Sequence, residues 1–232
     1  MTYQVNFTQE QIERIKEARK GLVAKTLEVP AHGKIVEHEG KPGNYYFVLP
    51  TVFQPNAGCI PLIENYKINK GERVLDFGTG CGVIAIDSAK RGAHVAVGID
   101  INKEAVRSGK INAILHKVND NCLIYDGEIV KNGKKDFNVI TANLPFTNEI
   151  CSKIEEKAAY DQGLTAHREL FQLAENRLTK FGRVYLAQAN FGAVDEVLDL
   201  AKEHGFSHRL IGQKEAWEPS AVFYAFELWR KK

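Results

Sequence analysis

Residues 74–82 read Val-Leu-Asp-Phe-Gly-Thr-Gly-Cys-Gly. An apolar run ends in one carboxylate, Asp76, and three glycines follow at alternating positions, Gly78, Gly80 and Gly82. Val83-Ile-Ala-Ile-Asp-Ser-Ala-Lys then reads as helix. That order predicts a strand, a tight turn and a helix N-terminus, where open α/β sheets hold nucleotide-like ligands. Glycine is suited to such a turn because a Cβ would block close approach of the backbone. The spacing is not the dinucleotide one, G-x-G-x-x-G, since Val83 stands where its third glycine belongs. A carboxylate at Asp76 would repel a diphosphate and suit a cationic ligand.

A second stretch, Val139-Ile-Thr-Ala-Asn-Leu-Pro-Phe146, ends an apolar run in Asn143. An amide or exocyclic amine is a poor nucleophile because its lone pair is delocalised. The Asn143 side-chain carbonyl and the Leu144 backbone carbonyl can each accept one N–H. That grip favours pyramidal nitrogen and aims its lone pair. Pro145 stiffens the turn, and Phe146 offers a flat face for a planar amide or base. Such a site works by positioning and electrostatics rather than by a strong base.

These groups need strands to carry them. Apolar runs predict strands at 73–77, 94–99, 121–125, 136–142, 182–188, 207–212 and 221–229, with helices near 82–91, 103–116, 165–179 and 193–204. The alternation predicts an α/β fold with a doubly wound, mostly parallel sheet of seven strands. The short link from 213 to 220 makes the last two strands an antiparallel hairpin, because parallel neighbours need a long crossover. Three carboxylates fall at consecutive strand ends: Asp76, Asp100 and Asp126. Asp100 can accept two ribose hydroxyls, as a dehydrogenase acid also would. Asp126 either meets an adenine amino group or simply turns the chain before Gly127. Upstream, residues 8–25 predict a helix capped by Thr8 and Gln11. Residues 34–49 predict a hairpin, 50–58 a loop with Pro50, Pro55 and Gly58, and Cys59 to Tyr66 a short helix.

Asp-x-Gly-x-Gly-x-Gly after a strand resembles motif I of the class I S-adenosylmethionine-dependent methyltransferases. Asn143-Leu-Pro-Phe146 resembles their motif IV, N-P-P-[YF], in the branch that modifies planar nitrogens. Tyr160-Asp-Gln-Gly-Leu-Thr-Ala-His-Arg, followed by a helix and Leu178-Thr-Lys-Phe-Gly, resembles the "methyltransferase small" group and the release-factor glutamine N5-methyltransferases. The hairpin and Val52-Phe-Gln-Pro-Asn-Ala-Gly resemble that family's substrate-side loop. The resemblance covers about residues 34–230. It implies a Rossmann-like methyltransferase domain over 59–232, with 1–58 as a helix-and-hairpin cover. It implies S-adenosyl-L-methionine held by Asp76, Phe77, Gly78, Thr79, Gly80, Gly82, Asp100, Ile101 and Asp126. Asn143, Leu144, Pro145 and Phe146 would serve as the catalytic turn. Asn-Leu-Pro-Phe lacks the tyrosine of N-P-P-Y, and Gln54-Pro55-Asn56 replaces Pro-Arg in the loop. These departures bear on a glutamine acceptor more than on the chemistry.

The chain has 232 residues and a net charge of +2, too mild to indicate a nucleic-acid partner by bulk electrostatics. Lys131, Lys134 and Lys135, and the tail Arg230-Lys231-Lys232, are small basic clusters of the kind common on solvated surfaces. Trp217 either stacks on a base or covers the core. Four separated cysteines, Cys59, Cys81, Cys122 and Cys151, read as free thiols. No metal site is expected, because Gly205 separates His204 from His208. No apolar run approaches the ~20 residues of a membrane span, and the N-terminus has no signal pattern, so a cytoplasmic protein is expected. The acceptor class stays open: a protein amide, an RNA or DNA base amine, or a small molecule. Two other functions fit the residues less well. A non-catalytic binding subunit of the same fold sits poorly with the intact Asn143–Phe146 turn. An NAD-dependent oxidoreductase leaves Asp76 and that turn unexplained.

Overall fold

In the computed structural model, which describes residues 32–38, 41–127, 135–148, 160–215 and 221–230, the runs ending in Asp76, Asp100, Asp126 and Asn143 lie in one sheet. Its strands are β3 (Arg73–Phe77), β4 (Val95–Asp100), β5 (Cys122–Asp126), β6 (Phe137–Ala142), β7 (Leu178–Ala189), β8 (Phe206–Glu215) and β9 (Val222–Arg230). They stand in the order β5-β4-β3-β6-β7-β9-β8. The first five are parallel, and β9 runs antiparallel to both β7 and β8. The order reverses between β3 and β6, so the strand ends carrying Asp76 and Asn143 flank the switch point where such sheets bind ligands.

Helices cover both faces. On one lie α1 (Ile60–Asn65), α2 (Val83–Lys90) and α3 (Lys103–Leu115), and on the other α4 (Thr165–Arg177) and α5 (Val194–Glu203). Side chains alternate along each strand. Val74, Ala96 and Val139 therefore enter one core, and Leu75, Val97 and Ile140 enter the other.

β1 (Lys34–Glu37) and β2 (Tyr45–Val48) form the predicted hairpin as a separate two-stranded sheet. It docks on α3 through a buried asparagine. Phe47 N–H donates to Asn112 Oδ1 at 2.6 Å, and Asn112 Nδ2 donates to the carbonyls of Phe47 and Cys81, both at 2.8 Å. Leu49 N–H adds a 3.2 Å bond to Ser108 Oγ.

Two strands outrun their predicted limits. β7 begins at Leu178, which pairs with Phe137; Arg183 then pairs with Val139, so residues 179–182 bulge from the ladder. Phe181 on that bulge is 74% exposed, a position apolar periodicity does not anticipate. β8 continues to Glu215, because its partner β9 offers register as far as Val222. His204 caps α5 and His208 lies on β8, with Gly205 at φ +79° between them. The predicted N-terminal helix, Cys151, Lys131, Lys134, Trp217, Lys231 and Lys232 lie outside the described residues. Among the described residues no helix is long and apolar enough to cross a membrane.

Candidate active site

The three glycines of the first motif all take positive φ: +72° at Gly78, +54° at Gly80 and +91° at Gly82. Gly82, left-handed, is the N-cap of α2, and an L side chain would be strained there. The turn folds back on the end of β4. Gly78 and Thr79 N–H both donate to Ile99 O at 2.9 Å, and Gly80 N–H donates to Asp100 Oδ2 at 2.9 Å. A Cβ at Gly78 would sit 2.8 Å from Leu144 Cδ2, whereas one at Gly80 would meet nothing within 4 Å. The first glycine thus fits the motif turns together, and the second leaves open space.

Asp76 is 1% exposed and lies behind the turn rather than on the cavity wall. Its two oxygens accept Thr79 Oγ1 at 2.7 Å and Thr141 Oγ1 at 2.8 Å. Burial pushes its pKa up to about 6, opposed by bonds from Thr79, Thr141 and the Ala85 N–H. Thr141 is two residues before Asn143, so Asp76 ties the glycine turn to the strand that carries the second motif.

Asp100 does line the cavity. Besides Gly80, it accepts Asn102 N–H at 2.9 Å. Burial raises its pKa, and those backbone bonds oppose the rise. Asn102 caps α3 by accepting Glu104 N–H at 2.9 Å, and its Nδ2 donates to Thr51 O at 3.0 Å and Thr51 Oγ1 at 3.2 Å. That amide ties the loop after the hairpin to the end of β4.

One cavity of about 1140 Å³ runs between the two motifs. Of the expected cofactor residues, Phe77, Gly78, Gly80, Asp100 and Ile101 line it. Asp76, Thr79 and Gly82 stand behind the lining; Asp126 is exposed beside it and gives way on the wall to its neighbour Gly127. Asn143, Leu144, Pro145 and Phe146 all line it. Asn143 Oδ1 is buried and accepts no hydrogen bond, a costly state for a carbonyl oxygen.

The Asn143–Phe146 turn is held from several sides. Phe146 packs against Phe191 and Phe223 at 6.0 and 5.9 Å between ring centroids. Its carbonyl accepts Ala193 N–H at 2.7 Å, and a Cβ at Gly192 would come within 2.3 Å of that oxygen. Asp161 N–H donates to Thr147 O at 2.8 Å, and Thr147 bridges Tyr160. The rings most open at the mouth are Phe191, 54% exposed, and Phe53, 48% exposed, rather than Phe146. Among the described residues the lining carries three carboxylates, Asp100, Asp161 and Glu169, and no Lys, Arg or His.

Sequence motifs alone do not single out Thr51, Phe53, Asn102, Glu169, Gln172 or Phe191. The loop and the stretch after Tyr160 are flagged by resemblance only. The helical face of Glu169, Gln172 and Asn176 reads as ordinary solvated surface because nothing local marks it as a cavity wall.

Comparison with known proteins adds independent findings. Residues 54–159 match the family model described as ribosomal protein L11 methyltransferase (PrmA). A Methanocaldococcus jannaschii protein named "Putative protein N5-glutamine methyltransferase" is 32% identical over 188 residues, 77% of this chain and 93% of that protein. The ribosomal protein L11 methyltransferase of Exiguobacterium sibiricum is 41% identical over 86 residues, 37% of this chain and only 27% of that enzyme. In fold, the chain is similar to the 16S rRNA N2 G1207 methyltransferase of T. thermophilus, solved with AdoMet and guanosine. The TM-score is 0.60 at 15% identity, over 86% of this chain and 45% of that one.

Proposed function

Because the chain belongs to the class I S-adenosylmethionine-dependent methyltransferases, and so is an enzyme that uses S-adenosyl-L-methionine, we propose that its acceptor is the side-chain amide nitrogen of a protein. The observation that carries this reading is the buried Asn143 Oδ1 without a partner at the cavity wall. Its unmet hydrogen-bond capacity suits an acceptor that brings an N–H.

The residues present fit the donor. The glycine turn leaves space above Gly80, and Asp100 keeps lone pairs beyond those given to Gly80 and Asn102. Gly78, Gly80, Asp100 and Ile101 would hold it. Asp76 would act from behind, by holding Thr79 and Thr141, and Asp126 from the rim. When bound, S-adenosylmethionine supplies an electrophilic methyl group on a sulfonium.

The chain's own residues would do the rest. Asn143 Oδ1 and the Leu144 carbonyl accept the two N–H bonds of the acceptor amide. That pulls the nitrogen lone pair out of conjugation and directs it at the methyl. Pro145 keeps the turn rigid. Once methylated, the nitrogen gives up its proton without a strong base. The rate then comes from orientation and from carbonyl dipoles fixed in advance.

A protein amide is favoured over a nucleobase by the charge of the walls. Nucleic-acid binding rests largely on Lys and Arg set against phosphates, and the described lining has three carboxylates and no cation. The name of the M. jannaschii relative points the same way. The test is labelled methyl transfer from S-adenosylmethionine to a glutamine-bearing peptide, with a structured RNA and a lysine peptide in parallel. Label on the glutamine peptide alone is expected; label on the RNA alone would overturn the choice of acceptor.

A further inference from the structure

His167, Asp161 and Gln188 form a buried polar chain that reaches the cavity wall at Asp161, and the methyl-transfer step above gives His167 and Gln188 no part. His167 and Gln188 are 0% exposed and Asp161 5%. His167 Nδ1 lies 2.6 Å from Asp161 Oδ2, and the Gln188 amide nitrogen lies 2.8 Å from Nε2. A carboxylate only accepts, so the ring carries a proton on Nδ1, toward Asp161. The His167 bond holds the Asp161 carboxyl below the usual range against the effect of burial.

Asp161 serves two elements at once. Its carboxylate accepts Ala166 N–H at 2.8 Å and His167 N–H at 3.2 Å, closing the first turn of α4. Its own N–H holds Thr147 O. In the segment between, Gly163 and Leu164 both take left-handed φ, +68° and +54°, which is ordinary for the glycine and unusual for the leucine. A leucine stays in that region only where its surroundings fix it. Thr147 follows directly on the Asn143–Phe146 turn, whose other anchor is the Ala193 N–H on Phe146 O.

We propose that His167 is a positioning residue for the acceptor half of the cleft. Through Asp161 it fixes the start of α4 and, by way of Thr147, the turn that carries Asn143. The proposal rests on the reading that Asn143 grips the acceptor.

Three variants test it. His167→Asn keeps an N–H donor near the Nδ1 position, and His167→Gln shifts it to the Nε2 position, away from Asp161. Asp161→Asn weakens the pair from the other side and decides the matter if the glutamine variant does not fold. Amide hydrogen exchange with S-adenosylhomocysteine bound is read at Asp161 and Ala193, whose protons lie on the Thr147 and Phe146 carbonyls. His167→Gln is expected to speed exchange at both about tenfold or more, and His167→Asn at neither. A role confined to capping α4 would speed exchange at Asp161 and leave Ala193 unchanged. In methyl transfer to the glutamine peptide, His167→Gln should lower kcat about tenfold or more, since small displacements of reacting groups are costly. The KM for S-adenosylmethionine should hold, and His167→Asn should restore most of the rate. Wild-type exchange at Ala193 in His167→Gln, or equal damage in the asparagine and glutamine variants, overturns the proposal. If wild-type protein leaves the peptide unlabelled, the acceptor reading fails by itself, and the exchange measurement still decides the positioning.

Discussion

The two halves of the cleft differ in how their polar groups are satisfied. On the donor side the described contacts close among themselves: the glycine turn lies on Ile99 and Asp100, Asp76 on Thr79 and Thr141, Asp100 on Gly80 and Asn102. On the acceptor side Asn143 Oδ1 is left over, and two phenylalanines stand half in solvent. A turn whose contacts close among themselves is held by the chain alone. A turn with one unmet carbonyl has capacity for a donor from another molecule, and under the proposed function that is where selectivity would reside.

The largest expected effect breaks that contrast at its sharpest point. Asn143→Ala should lower kcat about 100- to 1,000-fold, as loss of one preorganised polar group at a reacting centre does. The affinity for S-adenosylhomocysteine by calorimetry should stay within about twofold of wild type, because the donor half does not rely on Asn143. A variant with wild-type turnover would show that the amide grip is not the source of rate.

Next is the buried joint between the halves. Asp76 has its pKa raised from 3.8 to about 6 by burial. A carboxylate raised on folding contributes stability that is fully present below its unfolded pKa and is lost as pH rises through the folded one. Wild-type unfolding free energy in urea should therefore fall relative to Asp76→Asn between pH 4 and pH 7, by up to about 3 kcal/mol. Parallel pH curves for the two proteins would mean that Asp76 titrates normally.

Asp100→Ala should weaken S-adenosylhomocysteine about tenfold to 100-fold, the range for one charge-assisted bond. Its kcat at saturating donor should change little, the reverse of the Asn143 pattern. Phe191→Ala, at the open rim, should raise the KM for the glutamine peptide only a few-fold, in keeping with loss of one partly exposed aromatic contact. Donor affinity should hold; a matching loss of both would show that the rim belongs to the donor half.

Local pattern made the donor side readable. Asp76, Asp100 and Asp126 each end an apolar run, and glycines at alternating positions mark a turn whatever lies elsewhere in the chain. Asn143–Phe146 stands out in the same way, as a polar residue and a proline closing an apolar run, and all four residues line the cavity. The rest depends on distant partners. Asn102 meets Thr51 across 51 positions, and Gln188 meets His167 across 21. Neither pair has a spacing that periodicity detects. Asp76 shows the limit from the other side: its place in the motif is legible, but its direction, away from the cavity and into Thr79 and Thr141, is a product of packing.

The Asn102 amide has a further consequence for redesign. It is a polar weld between the rim loop and the donor half, made to both the backbone and the hydroxyl of Thr51. Under the proposed function, the exposed rings Phe53, two residues along the same loop, and Phe191, packed on Phe146, are the positions to exchange for new acceptors while that joint is kept. Thr51 is where that freedom stops, since a change there loosens the very residue that starts α3.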